Sequence, residues 1–113
     1  MDKTDSTSHY DFLAVTPMEG LQSGERLFLE IGDVPIVIFN VDGNIYAIGD
    51  ICTHDNGPLG DGELENHKVI CPRHGARFDI RSGEALTLPA IKATPSYPVR
   101  IRNGFIEIGV PRE

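Results

Sequence analysis

The stretch Pro35–Ile48, PIVIFNVDGNIYAI, reads as a single β-hairpin. Apolar, β-branched and aromatic residues fill Pro35–Val41, a second such run covers Asn44–Ile48, and Asp42-Gly43 stands between them. A two-residue connection with left-handed backbone at both central positions matches the twist of paired strands, and Asp-Gly adopts it readily. The same device recurs downstream, where Asn103-Gly104 separates Val99–Arg102 from Phe105–Ile108. Arg26–Ile31 alternates with period two, and Tyr10–Val15 adds a further extended run at the start. No stretch keeps a helical period, so the expected fold class is all-β, built of stacked antiparallel sheets.

Between the hairpins lies a segment of different character. From Cys52 to about Pro89 the chain is rich in Gly, Pro and charge, and alone it could bury little apolar surface. It has to be mounted on the strands around it, as a loop-rich subdomain projecting from one end. Within it, Glu63–Ile70 reads as a short hairpin that delivers Cys71.

Two blocks in this segment carry chemistry: Cys52-Thr53-His54 and, after sixteen intervening residues, Cys71-Pro72-Arg73-His74-Gly75. Each offers one thiolate and one imidazole. That is the donor set of a two-iron, two-sulfide centre in which one iron has two Cys ligands and the other two His. Neutral imidazoles leave their iron electron-poorer than thiolates do, so an added electron settles there and the potential rises relative to an all-Cys cluster. Three other readings compete. A structural Cys2His2 zinc site uses the same residues, but its common spacings pair Cys with Cys and His with His in each loop, against the mixed pairing here. A Cys52–Cys71 disulfide is disfavoured in a chain without a secretory signal, and a catalytic Cys-His pair leaves the duplicated spacing unexplained.

The whole pattern, C-x-H, sixteen residues, C-x-x-H-G, resembles the Rieske iron-sulfur family. The resemblance extends through Leu59-Gly60-Asp61-Gly62 and Phe78-Asp79. Ser82-Gly83-Glu84-Ala85 and Leu88-Pro89-Ala90 look like the family's turn and the proline-bearing loop that covers its cluster. It implies a Rieske domain over residues 10–110, with a cluster-binding subdomain at about 50–90, preceded by a flexible N-terminus over 1–9. By the family's rule Cys52 and Cys71 bind one iron, and His54 and His74 the other, of one [2Fe-2S] cluster per subunit. Gly57, Gly60, Gly62 and Gly75 are expected where a side chain would block a tight turn or an amide's approach. Pro72 and Pro89 are expected to stiffen the walls of the site.

Departures from the membrane-bound branch of the family carry information too. That branch ties its two ligand loops with a disulfide, and the corresponding positions here are Gly57 and Arg73. It also places a serine and a tyrosine hydroxyl near the cluster sulfurs, where this chain has Ala76 and Phe78. Hydroxyl donors favour the more negative reduced state, so their absence implies a potential toward the low end of the family's range of roughly -150 to +300 mV.

Composition narrows the function. A chain of 113 residues with 40% hydrophobic content has room for one domain and a modest core. No apolar run approaches the roughly 20 residues that span a bilayer, and the polar start is unlike a signal peptide; a cytoplasmic location is expected. A net charge of -7 disfavours nucleic acid and anionic membranes and suits a basic protein surface, although acidity also serves solubility. Arg73, Arg77 and Arg81 either dock a partner or pair with Asp55, Asp79 and Glu84. His9 and His67 have no partner at metal spacing and read as solvated surface imidazoles.

The resemblance implies an electron carrier between an NAD(P)H-dependent flavoprotein reductase and the terminal oxygenase of a ring-hydroxylating dioxygenase system, through transient protein contacts. Self-contained oxygenation would need a further iron site of two His and a carboxylate, and only His9 and His67 are spare. A small Rieske-like subunit of a nitrite reductase or other redox complex, with an assembly or regulatory role, is the alternative.

Overall fold

A computed structural model describes residues 9–112. The expectation of a flexible N-terminus falls mostly on residues 1–8, outside the described residues. His9 lies inside them, exposed, with its carbonyl accepting the Arg112 N–H at 3.0 Å.

Ten strands form three antiparallel sheets: β1 Tyr10–Pro17, β2 Arg26–Ile31, β3 Val34–Val41, β4 Asn44–Gly49, β5 Leu64–Glu65, β6 Lys68–Ile70, β7 Arg77–Asp79, β8 Ser96–Tyr97, β9 Val99–Arg102 and β10 Phe105–Pro111. The orders are β1-β10-β9, β2-β3-β4-β8 and β5-β6-β7. A short 3-10 turn at Met18–Gly20 follows β1.

The expected hairpins form in register. Val41 pairs with Asn44 across Asp42 (φ 54°) and Gly43 (φ 91°), and Phe105 pairs with Arg102 across Asn103 (φ 53°) and Gly104 (φ 79°). The 63–70 hairpin also forms, pairing Glu65 with Lys68 around Asn66 (φ 56°). Three features go beyond the sequence reading. The register of β1 against β10 shifts between Ala14 and Thr16, which makes room for an extra residue in β1. The strands β7 and β8 are very short, and the β2–β3 turn uses Gly32 (φ 63°).

Strand β3 organises the core because both of its faces are covered. Successive side chains point to opposite faces of a sheet. Ile36 and Ile38 pack with Ala47, Ile106 and Ile108, between the second sheet and the first. Val37 and Phe39 turn the other way and pack with Ile48 against Cys52, Leu59, Val69, Cys71, Ala76, Phe78, Ile80 and Ala90. The metal-binding subdomain therefore does not merely project from one end. Its own apolar residues share a core with the outer face of the second sheet, which is how a Gly- and Pro-rich segment gains enough burial to hold its shape.

Candidate metal centre

The two Cys-His blocks form two loops of matching backbone design. In the first, the Cys52 N–H donates to the Gly57 carbonyl at 2.8 Å, and the Asn56 N–H donates back to the Cys52 carbonyl at 2.6 Å. In the second, the Cys71 N–H donates to Ala76 at 2.7 Å, and the Gly75 N–H to Cys71 at 2.9 Å. The residue four after each Cys is left-handed, Asn56 at φ 62° and Gly75 at φ 76°. Glycine and asparagine are the residues that take this conformation most easily. Asn56 was not singled out from the sequence, although its place before Gly57 was a usable sign.

Within this frame the donors separate into pairs. Cys52 and Cys71 are free thiols, 0% and 1% exposed, and their side chains interact with each other. Burial foremost, with the Cys71 contact, raises the Cys52 pKa above its ordinary value. Burial opposes ionisation of Cys71 as well, but the Arg73 and His74 backbone N–H groups and the Cys52 thiol outweigh it and hold Cys71 low. Similar amides, from His54 and Asp55, point at Cys52. His54 and His74 lie at the surface with ring centroids 4.8 Å apart and planes crossed at 83°. Among the described residues no group of three His, Cys, Asp or Glu is arranged to hold one ion. Two buried thiols beside two exposed imidazoles fit a cluster whose two irons take different ligands better than a single tetrahedral ion.

Neighbouring residues fix the loops. Asp50 accepts the Leu59 and Gly60 N–H groups at 2.8 and 2.6 Å. Arg26, reaching out of β2, donates to the carbonyls of Gly60 and Gly62. A Cβ at Gly62 would lie 1.7 Å from the Ile70 carbonyl oxygen, so glycine is obligatory there. Thr53 Oγ1 donates to Lys92 O at 2.5 Å, tying the first loop to the segment that follows the cis Leu88–Pro89 peptide. Pro72 is exposed, Pro89 is half-buried, and Leu88 and Ile91 stand out at 76% and 81% exposure. Asp50, Arg26 and Thr53 were invisible from the sequence because their partners are backbone groups distant along the chain.

The arginines are paired. Arg73 grips Asp55, Nε to Oδ2 at 2.7 Å and Nη2 to Oδ1 at 2.9 Å, and the Arg73 hydrogen bond lowers the Asp55 pKa. Arg81 pairs with Asp79 at 2.9 Å, while Arg77 faces Glu65 at 3.6 Å in place of Glu84. His67 corrects its sequence reading: it is half-buried and meets the Tyr46 ring edge-on at 5.7 Å.

The model of the Rieske [2Fe-2S] domain matches residues 11–98. The chain belongs to that family. Rieske domains bind a [2Fe-2S] cluster, one per small ferredoxin chain. The 3-phenylpropionate/cinnamic acid dioxygenase ferredoxin subunit of Escherichia coli (strain K12) is 40% identical over 96 residues, covering 84% of this chain and 90% of the relative. Among solved structures, the Sphingomonas yanoikuyae B1 ferredoxin superposes with a TM-score of 0.80 at 30% identity, covering 89% of this chain and all of that one. The ferredoxin of carbazole 1,9a-dioxygenase from Nocardioides aromaticivorans IC177 shares the Rieske fold at a TM-score of 0.81 and 23% identity, over 89% of this chain and 98% of that one. No helix among the described residues is long and apolar enough to cross a membrane.

Proposed function

We propose that Cys52 and Cys71 hold one iron of the Rieske cluster and His54 and His74 the other, and that the chain passes single electrons from an NAD(P)H-dependent flavoprotein reductase to a terminal oxygenase. The observation that carries this is the division of the donors into a buried thiol pair and an exposed imidazole pair. When bound, the cluster supplies a one-electron couple.

The protein's part is to seat it and present it. Cys52 and Cys71 sit out of water, where backbone N–H groups stand in for the lost solvent around each sulfur. The two His rings form the edge nearest solvent, so a partner's redox centre comes closest through them. Loops 52–57 and 71–76 are anchored through Cys52, Cys71 and Ala76 in the core they share with Val37 and Phe39 of β3.

The E. coli relative's role as a dioxygenase ferredoxin subunit supports the oxygenase as acceptor, and the net charge of -7 suits a basic docking surface on each partner. Successive donor and acceptor contacts at one edge call for a small, short-lived interface, below about 1,200 Å² in total. The cytoplasm is the fitting compartment, since its reducing conditions keep Cys52 and Cys71 from pairing as a disulfide and leave them able to bind iron. The chain is a carrier and not itself an oxygenase, in keeping with the ferredoxin subunits it resembles.

Electrochemical titration of the purified protein tests the carrier role. A reversible one-electron wave is expected, and a cluster that cannot be reduced and reoxidised without loss would refute it. Replacing His74 with Cys should shift the optical spectrum toward an all-Cys cluster or abolish assembly; an unchanged spectrum and potential would remove His74 from the ligand set.

A further inference from the structure

The two ligand loops are joined by a contact that lies outside the donor set. The Arg73 guanidinium, between Pro72 and His74 in the second loop, spends three N–H groups on the first: Nε and Nη2 on the Asp55 carboxylate, at 2.7 and 2.9 Å, and Nη1 on the Pro58 carbonyl at 2.7 Å. The guanidinium lies so close over Gly57 that a Cβ there would stand 2.8 Å from both Cζ and Nη2. Gly57 in turn donates its N–H to Asp55 Oδ1 at 3.0 Å, which fixes the carboxylate at its own end. The side chains are only 34% and 28% exposed, and a planar bidentate pair of this kind is stronger and more directional than a flexible surface ion pair.

Asp55 has a second task. Its Oδ2 lies 3.3 Å from His74 Nε2. A carboxylate at that distance attracts the ring's Nε2 edge and so helps to orient the imidazole. Asp55 follows His54 directly in sequence yet faces the imidazole of the other loop, and Arg73 determines where that carboxylate sits.

We propose that Asp55 and Arg73 are positioning residues: an ion-pair clasp that locks the two ligand loops at a fixed separation and, through Asp55, sets the orientation of the His74 ring. Arg73 acts on His74 only through Asp55. The clasp needs no oxidant to form, so it holds the loops under reducing conditions, and Gly57 is part of it because the fork requires the space a side chain would take. This rests on His74 being a ligand.

The test compares wild type with Arg73→Gln, Arg73→Lys, Asp55→Asn and the double variant Asp55→Asn/Arg73→Gln. The readouts are the half-time of cluster bleaching under an iron chelator and the His nitrogen couplings in pulsed EPR of the reduced, 15N-histidine-labelled protein. Arg73→Gln is expected to shorten the half-time about threefold or more, and Arg73→Lys, which keeps the charge but loses the fork, by less. Asp55→Asn is expected to shorten it at least as far and also to change one His coupling. The double variant should be no worse than Asp55→Asn, because residues acting as a unit are not additive. A wild-type half-time in Arg73→Gln, multiplying effects in the double variant, or unchanged couplings in Asp55→Asn would overturn the clasp. Should Arg73→Gln assemble no cluster, the Arg73→Lys half-time decides by the same criterion. If wild type itself shows no His coupling, the ligand assignment fails instead.

Discussion

Arg26 Nη1 donates to the Gly62 carbonyl at 2.5 Å, joining β2 of the central sheet to the loop that leads into the 63–70 hairpin. The same nitrogen reaches the Gly60 carbonyl, and the guanidinium sits 5.4 Å from the centre of the Phe39 ring. One side chain thus fastens the metal-binding subdomain to its base, beside the bonds that Asp50 accepts from Leu59 and Gly60. Arg26→Leu leaves two carbonyls short of a charged donor, and a loss of about 1.5–3 kcal/mol is expected. Thermal unfolding measures it; a variant as stable as wild type would mean that the shared apolar core alone carries the attachment.

Two glycines of the site are expected to behave differently. At Gly62 a methyl group meets the Ile70 carbonyl oxygen at 1.7 Å, whereas at Gly75 the space is open and only the φ of 76° resists a side chain. Gly62→Ala should therefore cost at least about 2 kcal/mol through backbone displacement, and Gly75→Ala about 1 kcal/mol through strain. Equal losses in denaturant unfolding, or the reverse order, would contradict this account of the loop.

The readable parts of this fold were those governed by local rules. Asp42-Gly43 and Asn103-Gly104 specify their turns through backbone conformation, and both hairpins form where the sequence puts them. The two Cys-His blocks were equally legible as a pair of matching loops, because spacing within a loop is a local property. What escaped was long-range. Ser96–Tyr97 is a strand only because Ala47 and Ile48 pair with it, and the burial of His67 comes from Tyr46 on another sheet. The double-faced burial of β3 was hidden for a related reason: Ile36–Phe39 is apolar at every position, so no alternation shows which residue faces which core.

Ala76 and Phe78 are both fully buried in the core that contains the two cysteines, and neither offers a hydroxyl. Without such donors the more negative reduced state is less stabilised. The midpoint potential is expected in the lower part of roughly -150 to +300 mV. Ala76→Ser and Phe78→Tyr should each raise it, provided the new hydroxyl finds a sulfur acceptor. Protein-film voltammetry reads the change. A wild-type potential well above zero, or a downward shift in both variants, would contradict this reading.

The Asp79 carboxyl is held below its ordinary value of 3.8, chiefly by the hydrogen bond from Arg81, with burial opposing. A depressed folded-state pKa contributes stability that is present above the unfolded value and is lost as pH falls through the folded one. Asp79→Asn should therefore melt below wild type at pH 7, with the gap closing as pH drops below about 4. Arg81 is 55% exposed, so solvent screening keeps the effect small. A gap that stays constant from neutral to acid pH would show that the charge is not responsible.

Cys52 and Cys71 are proposed to hold one iron while His54 and His74 hold the other, and pulsed EPR of the reduced, 15N-histidine-labelled protein separates this ligand set from any alternative. The expected spectrum shows two strongly coupled histidine nitrogens, one of which disappears in His54→Cys and the other in His74→Cys wherever a cluster still assembles. A reduced cluster with no histidine coupling, or couplings that survive both substitutions, would contradict the assignment.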